Sequence, residues 1–83
     1  MKAEATIKFK FESEKTLEIV FNSLKPETLS APTNRSRTYI EADGKTLTLR
    51  FEARDTTALR AALNSYLRWI KLIIEVIQVL ENA

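Results

Sequence analysis

Eighty-three residues with a formal net charge of +2 make one small domain, too weakly basic for charge alone to mark a nucleic-acid binder. The chain has no cysteine and no histidine, which excludes a disulfide framework, a thiolate or imidazole metal site, and every Ser-His or Cys-His nucleophile arrangement. A domain of this size buries only about 60–65% of the surface its unfolded chain exposes, so association with other chains is the remaining source of stability.

The opening MKAEATIKFK contains no apolar core of a signal peptide. The most hydrophobic run, Trp69 to Leu80, is too short and interrupted to span a bilayer, so a soluble, cytoplasmic protein with no membrane partner is expected. Residues 3 to 11 alternate strictly, with Ala3, Ala5, Ile7, Phe9 and Phe11 on one face and Glu4, Thr6, Lys8 and Lys10 on the other, the pattern of a half-buried strand. Ser13 then caps a short amphipathic helix that starts at Glu14 and sets Leu17, Val20, Phe21 and Leu24 on one side. This helix is expected to end near Lys25-Pro26. Residues 26 to 34, with two prolines, read as a loop with room for one helical turn at Pro26-Glu27-Thr28-Leu29.

Two further strands, about 35–42 and 45–53, flank Asp43-Gly44, the dipeptide suited to a two-residue type I′ hairpin. With Asp43 and Gly44 as the loop, Ala42 faces Lys45, Ile40 faces Leu47, Thr38 faces Leu49 and Ser36 faces Phe51. Asp55 or Thr56 caps a last, long helix that runs to about Asn82. The order is β-α-β-β-α, a two-layer α+β sandwich of two helices on one face of a three-stranded antiparallel sheet, and the chain 1–83 is a single domain. A right-handed crossover after the first strand leaves room for the third strand in the middle.

The long helix divides into three longitudinal faces. Arg60, Asn64, Arg68, Lys71, Glu75, Gln78 and Asn82 form a narrow polar stripe, and Leu59, Leu63, Tyr66, Leu67, Ile70, Ile73, Ile74, Ile77 and Leu80 form the face expected to cover the sheet. A surplus stripe remains, through Ala58, Ala61, Ser65, Trp69, Leu72, Val76 and Val79, small at the start and large towards the end. An ordinary surface helix has one apolar arc, so this second one is expected to bind a partner. Ile19 points away from the core face of the short helix and extends the stripe. The expected partner-binding residues are therefore Ile19, Trp69, Leu72, Val76 and Val79.

The outer face of the sheet collects Lys8, Lys10, Arg35, Arg37 and Arg50 with Tyr39, against Glu4, Glu41 and Glu52. Its plain reading is a solvated, charge-mixed surface; the alternative is a phosphate-gripping, salt-sensitive RNA surface, with one aromatic where base stacking would want several. In the expected register Arg37 lies opposite Arg50, a like-charge pair that a carboxylate or phosphate would have to offset. No carboxylate pair, metal motif or phosphate-cradling glycine loop is present, so neither catalysis nor a cofactor is expected.

The run Leu49-Arg50-Phe51-Glu52-Ala53-Arg54-Asp55, followed by Leu59-Arg60-Ala61-Ala62-Leu63-Asn64-Ser65-Tyr66-Leu67-Arg68-Trp69, resembles the small dimerisation-subunit family of the KEOPS complex, archaeal type. The length, the element order and Arg35-Ser36-Arg37 at the start of strand two are similar as well, so the resemblance covers nearly the whole chain. It implies a non-catalytic homodimerising scaffold that docks its helices on the threonylcarbamoyltransferase subunit. It also implies a place, with tRNA as a partner of the assembly, in threonylcarbamoyladenosine modification. The alternative is a stand-alone RNA-binding domain that uses the basic sheet face.

Overall fold

A computed structural model describes residues 3–29 and 36–82. Strand β1 (Ala3–Lys10) is followed by helix α1 (Glu14–Leu29), strands β2 (Ser36–Asp43) and β3 (Thr46–Ala53), and helix α2 (Thr56–Glu81). The three strands form an antiparallel sheet in the expected order β1-β3-β2. Both helices lie on one face. This is the expected α+β sandwich, and β3 occupies its centre.

The central position of β3 explains its burial. Leu47, Leu49, Phe51 and Ala53 alternate towards the helices and are fully buried, because strands flank β3 on both sides and both helices cross its inner face. Leu17, Val20 and Leu24 of α1 and Ala58, Ile70 and Ile77 of α2 complete the buried set. Tyr66 meets Phe51 edge-on, with ring centroids 5.5 Å apart and planes at 73°, a favourable quadrupole arrangement. No buried side-chain nitrogen or oxygen among the described residues lacks a partner.

Helix α1 starts where its cap predicts: the Thr16 amide donates to Ser13 Oγ at 3.2 Å. Its end differs from expectation. The helix continues through Pro26 to Leu29 instead of stopping near Lys25-Pro26. Proline removes the amide that would reach the Asn22 carbonyl, but Asn22 and Pro26 are both exposed, so water can serve that carbonyl. The Thr28 hydroxyl also donates to the Lys25 carbonyl at 2.8 Å, tying down the last turn. Residues 30–35, the rest of the expected loop and with them Arg35, lie outside the described residues.

The hairpin register is two residues away from the expected one. Asp43 pairs with Thr46, Ala42 with Leu47, Ile40 with Leu49, Thr38 with Phe51 and Ser36 with Ala53. The two loop residues are therefore Gly44 and Lys45, not Asp43 and Gly44. Gly44 has φ +60° and no other described residue has positive φ, which matches a type II′ turn with glycine first. A two-residue slip preserves which side chains face the core, so the alternation pattern is satisfied by either register.

Asp55 caps α2, its Oδ1 accepting from the Ala58 amide at 2.7 Å. At about 1.5 Å per residue the 26-residue helix is roughly 39 Å long, against roughly 27 Å for an eight-residue strand. Starting just after β3 and running back towards the hairpin, α2 overshoots the sheet, consistent with the molecule's extents of 43 × 22 × 20 Å. Two assignments on the face expected to cover the sheet change. Leu80 is 70% exposed because it lies beyond the sheet, and Leu67 is 39% exposed on the flank. Conversely Ala58, on the surplus stripe, is buried in the first turn, where a small side chain permits close approach to the layer below.

Candidate functional site

The five expected partner-binding residues are all exposed: Ile19 by 41%, Trp69 by 37%, Leu72 by 59%, Val76 by 52% and Val79 by 69%. Four come from one side of α2 and Ile19 from α1. Four other apolar side chains of α1 are covered: Leu17, Val20 and Leu24 are buried, and half-buried Phe21 has the Lys25 ammonium 5.3 Å from its ring centroid. Ile19 has no such cover. Leu80 joins the surface from the overshooting end of α2, a residue that helical periodicity alone assigns to the core. Apolar exposure on this scale along one helix is the usual signature of an interface.

A second apolar surface lies on the opposite flank of α2. Phe9, Leu67, Ile70 and Ile74 floor a groove of about 360 Å³, rimmed by Lys71, Glu75 and Gln78. It runs beside β1, an edge strand with one free side. Sequence periodicity places Leu67, Ile70 and Ile74 together on one face, but whether a neighbour covers that face depends on how far the sheet extends beneath the helix.

The outer sheet face is organised by the actual register. Arg37 faces Glu52 and Tyr39 faces Arg50, so the expected Arg37–Arg50 clash does not arise. The Arg50 guanidinium stacks 4.0 Å from the Tyr39 ring centroid, and its Nη1 lies 3.1 Å from Glu52 Oε2. The Tyr39 hydroxyl donates to Glu52 Oε1 at 3.0 Å. This hydrogen bond, and then the Arg50 charge, hold the Glu52 carboxyl below its ordinary value, partly opposed by desolvation. Lys8 and Lys10 are exposed on β1, opposite Thr48 and Thr46. The face thus carries Lys8, Lys10, Arg37 and Arg50 against Glu4, Glu41, Asp43 and Glu52, a balance of charge.

Because the folded-state value of Glu52 is depressed, its contribution to stability is present above the ordinary carboxylate range and is lost as pH falls through the folded value. Tyr39→Phe removes the largest cause of the depression. The Glu52 carboxyl should then titrate at higher pH, seen in a carbon-detected NMR titration of its carboxyl group. An unmoved midpoint would assign the depression to Arg50 and Glu4 instead.

Among the described residues no group of carboxylates could hold a metal ion, and no helix is long and apolar enough to cross a membrane. The arrangement has two chemical resources: apolar helical surface on both flanks of α2, and charged side chains that pair or remain free.

A solved structure of a binary Gon7–Pcc1 complex contains a chain that superposes with a TM-score of 0.83 at 24% identity, covering 95% of this chain and 96% of that one, a likeness of fold. The KEOPS complex subunit Pcc1 of Pyrococcus abyssi is 37% identical over 78 residues, which is 94% of this chain and 95% of the relative. A family model described as "Transcription factor Pcc1" matches residues 4–78. With nearly its whole length matched in sequence and in fold, the chain belongs to the Pcc1 family.

Proposed function

We propose that this protein is a non-catalytic scaffold subunit of a cytoplasmic KEOPS-type complex. Two copies associate, and each presents Ile19, Trp69, Leu72, Val76 and Val79 to helices of the threonylcarbamoyltransferase subunit. In this reading the protein supports threonylcarbamoyladenosine modification of tRNA by positioning other components. The observation that carries it is the exposed apolar stripe of α2 on the flank away from β1. Membership of the Pcc1 family and the KEOPS name of the P. abyssi relative support the choice of assembly. The lack of histidine and cysteine supports a role without chemistry of its own.

Partner docking is then burial of preformed helix, ridge into groove, with little ordering cost because α2 is already held by its cap and its core face. The second copy is assigned to the other flank. There the β1 edge offers unpaired backbone groups beside the Phe9, Leu67 and Ile74 groove, so one contact can combine strand pairing with apolar burial. The balanced charge of the outer sheet face speaks against the alternative of a stand-alone RNA-binding domain built on that face.

Light scattering of the purified chain, alone and mixed with the transferase subunit, tests the reading. A dimer that also captures the transferase is expected. Leu67→Glu, a change at an exposed position of the groove, should yield a folded monomer that still captures the transferase. A wild-type monomer that ignores the transferase would sink the proposal.

A further inference from the structure

We propose that β1 pairs antiparallel with β1 of a second copy in one register centred on Ile7, selected by matching of size and charge along the strand itself. The proposal rests on the scaffold reading above, which places a second copy on this flank, and names what fixes its position. The Phe11 amide donates to the Lys45 carbonyl at 2.8 Å, so the odd-numbered residues of β1 direct their backbone groups to β3. The amides and carbonyls of Glu4, Thr6, Lys8 and Lys10 therefore face the open side. In a strand pair centred on Ile7 each of these residues meets another of the same set, Glu4 with Lys10 and Thr6 with Lys8, and their backbone groups bond reciprocally.

The side chains agree with that register on both faces. On the inner face Ala3 lies opposite Phe11 of the second copy, Ala5 opposite Phe9, and Ile7 opposite Ile7. Phe9 and Phe11 are only half-buried in the single chain, and each alanine leaves the room that a ring fills. On the outer face Glu4 already faces Glu52 across the β1–β3 pair, a like-charge contact to which the second copy adds Lys10. Moving the centre to Lys8 would set Lys8 against Lys8 and Glu4 against Glu12. Moving it to Thr6 would carry Lys10 and Phe11 past Ala3 of the second copy.

Strand β2 is the other edge among the described residues, and it lacks this pattern. Its inner face is Ser36, Thr38, Ile40 and Ala42, which offers little apolar area and no aromatic ring. By contrast β1 presents two phenylalanines and an isoleucine beside the groove floored by Leu67, Ile70 and Ile74, so strand pairing and groove burial fall in one contact. Where opposed residues exchange no hydrogen bonds, as at Ile7, their Cα atoms sit about 4.5 Å apart, within disulfide reach. The two Ala5 residues would be roughly 14 Å apart along the strands.

The chain has no cysteine, so a single introduced one reports the register directly. Under mild oxidation Ile7→Cys should give a covalent dimer on a non-reducing gel, and Ala5→Cys should not. Charge variants at the exposed positions 4 and 10 give a second measurement that spares the core. Lys10→Glu and Glu4→Lys should each weaken self-association about ten-fold in sedimentation equilibrium, since each places like charges opposite one another twice. An equimolar mixture of the two should regain wild-type association, because every opposed pair then again joins a lysine to a glutamate. A folded Ile7→Cys that forms no link, an Ala5→Cys that links as readily, or a mixture no tighter than its components would overturn the register, while a wild-type dimer would leave the scaffold reading standing. A wild-type monomer would overturn both the register and the assignment of a second copy to this flank.

Discussion

A glutamate at Val76 should abolish capture of the transferase subunit while the domain still unfolds cooperatively. Val76 is 52% exposed and lies at the middle of the large-residue half of the surplus stripe, between Leu72 and Val79. Placed in a desolvated helix–helix contact, an unpaired carboxylate costs several kcal/mol, so docking should weaken by at least about 100-fold. In the free domain the same carboxylate stays in water. Glutamate is also a better helix former than valine, so the folded state should be unaffected or slightly favoured. Isothermal titration against the transferase and urea unfolding monitored by circular dichroism would measure the two effects separately. An unfolded variant would show that the stripe is part of the domain's own core.

Ile70→Glu should have the opposite outcome: loss of the fold itself. Ile70 is 2% exposed and belongs to the cluster that joins Leu17, Val20 and Leu24 to Leu47, Leu49, Phe51 and Ile77. The substitution removes a buried side chain worth about 2–3 kcal/mol and adds a carboxylate with no partner there. A chain of this length has roughly 4–12 kcal/mol of stability in total, so the sum leaves little or nothing. Loss of the cooperative urea transition and exposure to proteolysis are expected. A folded Ile70→Glu that merely failed to dock would place the domain–partner boundary one helical face away from where it is drawn here.

These two substitutions, six residues apart on one helix, separate what periodicity can and cannot reveal. That α2 has three faces follows from residue spacing. Which apolar face finds cover inside the domain does not. Ala58 belongs to the surplus stripe by spacing yet is buried in the first turn; Leu80 belongs to the core face yet is exposed, because the helix has by then outrun the sheet. The Leu67 flank is open for a related reason: β1 is the last strand on that side among the described residues.

The hairpin teaches the same lesson on a smaller scale. Side-chain alternation has a period of two, so it specifies which residues of β2 and β3 face inward but is blind to a slip of two residues. Only the turn breaks that degeneracy. With Gly44 as the first loop residue at φ +60°, Arg37 moves from Arg50 to Glu52, and an expected repulsion becomes a charge-balanced surface with Tyr39 stacked on Arg50. The expected Arg37–Arg50 repulsion, which called for an offsetting carboxylate or phosphate, depended on that one register.

By itself the sequence determined the element types, their order, the β1-β3-β2 arrangement, the caps at Ser13 and Asp55, and the presence of more apolar helix surface than one sheet can cover. All of these follow from local spacing, capping chemistry and chain handedness, which act over a few residues or through a single connection. Tertiary structure alone decided the hairpin register, the passage of α1 through Pro26, and the split of α2 into a covered face, an open stripe and an open groove. Each of these depends on how far one finite layer extends over another, a length that no local pattern encodes.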